Sequence, residues 1–239
     1  MNGALLSCVA VPSTARANSI TLTDWTTGDF VNNAAGGGGP FKATTDTALG
    51  SFVTFCLEFN EHFSYGTEYI YTLSDGAISG GVSGQTSPNF DPISDATKWI
   101  YTQLRTGSYA LPIFTPFFGT GAGVGARVQE AIWFLEGERT SGQVDSASVS
   151  LATFAQTQDW GTLLASGNSV FVMNILTTAG APVQDQLAWA QTFRTTETPV
   201  PEPASMLLLG SGVVAAYARR RAKSSKTGPQ RNRRSIHLR

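Results

Sequence analysis

The stretch SFVTFCLEFN, residues 51–60, alternates without a break. Val53, Phe55, Leu57 and Phe59 fall on one face of an extended chain, and Thr54, Cys56, Glu58 and Asn60 fall on the other. A period of two over ten residues is the pattern of a β-strand. Shorter runs with the same character precede and follow it at Ser19–Thr23, Phe41–Thr47 and Glu68–Leu73, with the glycine-rich stretches Gly36–Gly39 and Gly80–Gly84 as loops. The period then lengthens. Ser94–Arg105 places Ala96, Ile100 and Leu104 on one stripe behind Asp91 or Ser94 as N-cap, and Ala126–Gly137 places Val128, Ala131, Ile132 and Leu135 at helical spacing. A weaker helical pattern runs from Val149 to Leu164, and Ser169–Thr177 and Gln186–Phe193 close the region as strands. No internal repeat is visible. The pattern predicts an α+β body, strand-rich and sandwich- or barrel-like, with a small helical insertion.

Composition sets the surroundings of this body. The chain has 239 residues, 41% of them hydrophobic, enough for a packed core, while only 14% are charged, against about 25% in an average soluble protein. The net charge of −1 conceals an uneven distribution. Residues 18–218 hold all 17 acidic residues but only six basic ones, a formal charge of −11, whereas nine of the 16 basic residues lie from Arg219 onward. An acidic middle lacks the clustered Lys and Arg that phosphate contacts require, so nucleic acid is excluded as a partner of the body.

The two ends read as addresses. Residues 1–17 combine a short apolar run, Gly3–Val11, with Ala15-Arg16-Ala17, the small-x-small pattern of a cleaved signal peptide. The basic n-region is missing, which points to a start upstream of Met1, and the apolar run before Cys8 is too short for a lipoprotein signal. At the other end, Val200-Pro201-Glu202-Pro203 precedes an uncharged stretch, residues 204–218, and then Arg219, Arg220, Arg221 and Lys223. As a helix that stretch spans about 22 Å, short of a comfortable bilayer crossing, but flanking arginines snorkel and mark the cytoplasmic side.

The order Pro-Glu-Pro, apolar segment with Gly210-Ser211-Gly212, and Arg219-Arg220-Arg221 resembles the PEP-CTERM sorting signal. The resemblance implies an exosortase as partner, cutting near the Pro-Glu-Pro, with the inner membrane holding residues 204–218 until then. It also implies that the product is exported to the cell surface or secreted. The expected organisation is a signal peptide at 1–17, an exported body at 18–198, a sorting signal with a membrane helix at 199–223 and a basic cytoplasmic tail at 224–239.

The body offers little chemistry. Once residues 1–17 are removed, Cys56 is the sole cysteine and His62 the sole histidine before the tail. An exported chain with one cysteine has no internal disulfide, which leaves an intermolecular bond, a reactive thiol, or a bond to something other than sulfur. One Cys and one His fall short of a zinc ligand set, so no metal and no cofactor is expected. A cysteine hydrolase on Cys56 and His62 would need an orienting third group and an oxyanion hole. Gly121-Ala122-Gly123-Val124-Gly125-Ala126 fits the dinucleotide pattern G-x-G-x-x-A, but Pro112 and Pro116 occupy the place of the required strand, and a glycine loop before a helix explains it. Glu136 and Glu138 read as a solvated helix end.

Phe55-Cys56-Leu57-Glu58 and Val128-Gln129-Glu130-Ala131-Ile132-Trp133 together resemble the thioester domains of bacterial surface adhesins, where a strand Cys is joined to the Gln of a Gln-x-Ala-Ile-Trp helix. The resemblance implies a bond between Cys56 and Gln129, 73 residues apart. From the residues themselves, alternation turns Cys56 away from the Val53-Phe55 face, and Gln129 shares a stripe with Ile132, Trp133 and Glu136 at the edge of the apolar face. A thioester needs shelter from water, for which Trp133 and Phe55 are the candidates. The expected function is single-use covalent capture of a surface amine or hydroxyl, without turnover. The alternative is a non-covalent structural or adhesive protein of the exopolysaccharide matrix, with Cys56 an inert buried side chain.

Overall fold

A computed structural model of the chain describes residues 17–26, 28, 37–78, 81–82 and 90–191. The sorting signal, the expected membrane helix and the basic tail lie outside the described residues, as does nearly all of the expected signal peptide. Among the described residues no helix is long and apolar enough to cross a membrane.

Six strands form one antiparallel sheet: β1 (Ser19–Asp24), β2 (Phe41–Thr45), β3 (Ser51–Thr54), β4 (Glu68–Ser74), β7 (Asn168–Leu176) and β8 (Gln186–Gln191), in the order β3-β2-β1-β4-β7-β8. A second sheet pairs the two-residue strands β5 (Gly76–Ala77) and β6 (Asp91–Pro92), which the sequence pattern did not reveal. The large sheet curls until its outer strands meet. Beyond β3, Cys56 forms an isolated antiparallel bridge with Gln186, and the N–H groups of Leu187 and Leu57 donate to the carbonyls of Phe55 and Asp185 at 3.2 Å each. Such closure removes exposed strand edges. The expected ten-residue strand therefore holds regular geometry only over Ser51–Thr54 and then bends to make this seam.

Both faces of that stretch are buried, which explains the apolar content on one side and the small or polar side chains on the other. Val53, Phe55 and Leu57 join Val170, Val172 and Leu187 in a core under the helices, while Phe52 joins Ile20, Leu22, Ala43, Met173 and Ile175 in a second core. Tyr101 reaches the seam from the helical side, its hydroxyl donating to the carbonyls of Val53 (2.7 Å) and Leu187 (3.2 Å).

The helical part is larger than the small insertion expected. It comprises α1 (Asp95–Arg105), α2 (Thr115–Phe118), α3 (Gly123–Leu135), α4 (Ser146–Gln156) and α5 (Trp160–Ala165). Ser94 is the N-cap of α1, accepting from the Thr97 N–H. The pattern over Val149–Leu164 is two helices because Asp145 and Asp159 each cap one, accepting from the N–H groups of Ala147 and Gly161. The element before α3 is the short helix α2, not a strand, so the glycine-rich sequence there has no βαβ setting. Nor is the end of α3 solvated. Glu136 accepts from the Ser94 N–H and hydroxyl and from the Thr97 hydroxyl, tying α3 to the start of α1. Burial raises the Glu136 carboxyl above the usual carboxylate range, against the pull of those Thr97 and Ser94 hydrogen bonds. Glu138, 5% exposed, accepts from the Phe59 (2.9 Å) and Val82 (2.6 Å) N–H groups.

Candidate functional site

Helix α3 buries Val128, Ala131 and Ile132 in the core, and the residue between them on the adjoining stripe is Gln129, itself fully buried. Its carboxamide is fixed at the seam. Gln129 Oε1 accepts from the backbone N–H of Cys56 at 2.9 Å and of Gly39 at 3.0 Å, while Nε2 donates to the Cys56 carbonyl at 2.9 Å. The structure thus brings together the two residues that the sequence motifs singled out, one from a strand end and one from a helix.

This approach depends on glycine. A Cβ on Gly38 would lie 2.3 Å from Trp133 Cη2 and 2.8 Å from Gln129 Cγ, and one on Gly39 would lie 3.0 Å from the Thr54 carbonyl oxygen and 3.2 Å from Gln129 Oε1. Sequence reasoning assigned these glycines to a loop. Their role as the floor beneath Gln129 and Trp133 follows from packing between segments about ninety residues apart, which a single local pattern does not carry.

Cys56 is 3% exposed and clusters with Phe41 and Trp133, flanked by Phe59 and Phe63. Phe41 meets Phe63 edge-on at 4.9 Å, and Phe59 meets Trp133 edge-on at 5.1 Å. The Arg139 guanidinium lies 4.6 Å from the Phe59 ring centre. Of the two residues expected to shelter Cys56, Trp133 stands beside it. Phe55 points instead into the core under the helices, near Tyr101, because alternation puts it on the opposite face. Phe41, Phe59 and Phe63 take that place.

A cavity of about 180 Å³ opens at this cluster, with Cys56, Trp133, Glu61, His62, Tyr65 and Gln184 among its lining residues. The Cys56 sulfur accepts from Gln186 Nε2 at 3.4 Å. His62 shares the cavity. Burial pushes the Cys56 thiol up to about 12, the Gln186 and Gly39 hydrogen bonds oppose that, and the nearby Glu58 and Glu61 carboxylates add to it. The resting sulfur at neutral pH is therefore a neutral thiol.

Three carboxylates the sequence analysis did not single out, Glu58, Glu61 and Asp185, meet beside this cavity with oxygens within 4.8 Å of one another. Burial first, then mutual repulsion, raises Glu58 and Asp185 well above the usual carboxylate range, and burial brings Glu61 up to about 7. Alternation placed Glu58 on the Cys56 face, but nothing local signals that Asp185 joins it across the seam.

The chemical capacity of the site rests on the two backbone N–H groups aimed at Gln129 Oε1. Donors held on a carboxamide oxygen stabilise the negative charge that develops when a nucleophile adds to its carbon. The carboxamide grips the peptide group of Cys56, and the Cys56 sulfur itself is hydrogen-bonded to Gln186 Nε2.

Pro201, Glu202, Pro203, Arg219, Arg220 and Arg221 lie outside the described residues. For that segment comparison with known families is informative: the model for the PEP-CTERM protein-sorting motif matches residues 199–221, which include all six. No curated protein and no solved structure gives a match to the chain. The motif implies processing by an exosortase, and it supports an exported surface protein sorted through its C-terminal signal.

Proposed function

We propose that this surface protein captures a partner covalently through an internal thioester between Cys56 and Gln129. The observation that carries the reading is the two-sided grip of the Gln129 carboxamide on the Cys56 peptide group, with the Gly39 N–H as a second donor to Oε1. In the first step the Cys56 sulfur adds to Gln129 Cδ. The oxygen charge is held by the Cys56 and Gly39 N–H groups, the thiol proton passes to the departing nitrogen, and ammonia leaves. The C–N bond is exchanged for a C–S bond. Phe41, Phe59, Phe63 and Trp133 pack around Cys56 and leave the product approachable through the cavity they line.

In the second step a primary amine or hydroxyl of the partner enters the cavity and attacks the same carbon. An amide or ester forms and Cys56 leaves as a thiol. Each molecule reacts once, so the protein is a capture device and not a turnover enzyme. The competing reading is a non-covalent matrix protein with an inert Cys56.

Intact mass of the freshly exported chain separates the two. The thioester makes it lighter by one ammonia, and methylamine restores the mass with a methyl added. Cys56→Ser and Gln129→Ala both abolish the deficit and the adduct. A wild-type chain of full, unmodified mass with an alkylatable thiol ends the proposal.

A further inference from the structure

We infer that Glu58, Glu61 and Asp185 form a binding site for a hard divalent cation, calcium in particular, across the seam between the end of β3 and the start of β8. One carboxylate oxygen from each residue lies within 4.8 Å of the others. That bound is compatible with oxygens about 2.3–2.6 Å from a shared centre. Calcium is preferred over magnesium because it accepts several protein carboxylates in irregular geometry, whereas magnesium keeps most of its waters and takes one or two. An all-oxygen set favours calcium or magnesium over zinc or copper.

A second observation points to a ligand in this cluster. Asp185 is 1% exposed, and while its Oδ1 accepts from the Ile175 N–H at 2.9 Å, its Oδ2 is buried with no hydrogen-bond partner among the described residues. Glu61 Oε2 is also buried without a partner among the described residues. A buried acceptor left unsatisfied is costly, and two of them in one carboxylate cluster are satisfied together by a single cation. The third member is already aimed: Glu58 Oε2 accepts from Gln184 Nε2 at 3.3 Å, and Gln184 Nε2 also holds the Glu58 carbonyl at 2.7 Å. The Arg139 guanidinium is engaged over the rings of Phe59 and Trp133. Glu61 and Gln184 line the cavity, which gives the ion an entry path and room for the waters that complete six to eight ligands.

The site stands whether or not the thioester forms, because none of its ligands belongs to that bond. Bound calcium joins the segment after Cys56 to the segment before Gln186.

The test is calorimetric titration of CaCl2 into the full chain purified in detergent and stripped with chelator, together with thermal melts in chelator, CaCl2 and MgCl2. The expected result is one calcium per chain, a melting temperature raised by several degrees, and a weaker response to magnesium. Glu61→Gln, which leaves the Asp185 contact with Ile175 intact, lowers calcium affinity at least tenfold while its melting temperature in chelator matches or exceeds wild type. Absence of heat and of any melting shift at about 10 mM CaCl2, above the range of weak extracellular sites, overturns the site. So does a Glu61→Gln chain that binds calcium as wild type does.

Discussion

Gln129 clasps Cys56 by its main chain: the carboxamide oxygen takes the Cys56 N–H and the carboxamide nitrogen gives to the Cys56 carbonyl, each at 2.9 Å. A side chain that completes the hydrogen bonding of a strand end belongs to the fold as much as to any chemistry. Gln129→Ala leaves the buried N–H groups of Gly39 and Cys56 and the Cys56 carbonyl unpaired, at about 1–3 kcal/mol for each group that water does not reach. We expect a loss of at least about 2 kcal/mol by chemical denaturation when Gln129→Ala is added to a Cys56→Ser chain, in which the carboxamide keeps its nitrogen. A loss near zero would show that the clasp is not formed.

Glycine substitutions at two positions should act in opposite directions. Gly38→Ala drives a Cβ to 2.3 Å from Trp133 Cη2, so the indole or the loop must shift. Overpacking of this kind costs about 1–3 kcal/mol, and the mass deficit should disappear with it. Gly123→Ala, at the start of α3 with nothing within 4 Å of the added carbon, should stabilise by about 0.4–1 kcal/mol and leave the mass deficit unchanged. Thermal melts and intact mass of the two variants read both effects.

Tyr101→Phe separates closure of the sheet from chemistry at the site. The lost hydroxyl donates to the Val53 and Leu187 carbonyls from the helical side of the seam. Loss of about 1–2 kcal/mol is expected by denaturant titration, with the ammonia deficit retained. A deficit that vanishes would place Tyr101 in the reactive geometry.

The thiol itself can be followed in Gln129→Glu, which cannot expel ammonia. Burial that pushes Cys56 up to about 12 keeps it neutral at pH 7, and the added carboxylate pushes in the same direction. Because the thiolate is the reactive form, iodoacetamide labelling should be slow at pH 7 and rise about tenfold per pH unit up to roughly pH 10, without a plateau near the ordinary thiol value of about 8.5. A plateau there would mean that the sulfur is solvated.

These sites differ in how far the amino-acid pattern reveals them. Alternation in residues 51–60 and the stripe Val128-Ala131-Ile132 anticipate a strand-rich body with a core-facing helix, because periodicity reports burial directly; the pairing of Cys56 with Gln129 is what the resemblance to thioester domains implies. The same alternation predicts a strand through Asn60, whereas the chain leaves regular geometry after Thr54, since closing the sheet requires a bend that hydropathy does not encode. Phe55 lies in the core under the helices, whereas Phe59, which strict alternation puts on the same face as Phe55, borders Cys56 because the chain has left regular strand geometry by then. Glu136 and Glu138 look solvated in a one-dimensional reading, yet each satisfies N–H groups of segments more than forty residues away. The clustering of Glu58, Glu61 and Asp185 likewise depends on β8 returning to β3, a tertiary event.

The seam has a mechanical consequence. β8 is the last described strand before the segment that carries the sorting signal. On one flank β8 is held by a full ladder to β7, and on the other by the Cys56–Gln186 bridge and its two neighbouring backbone bonds. A pull would therefore open the weaker flank first and uncover the sulfur. The bridge that closes the sheet is thus also the lid over Cys56.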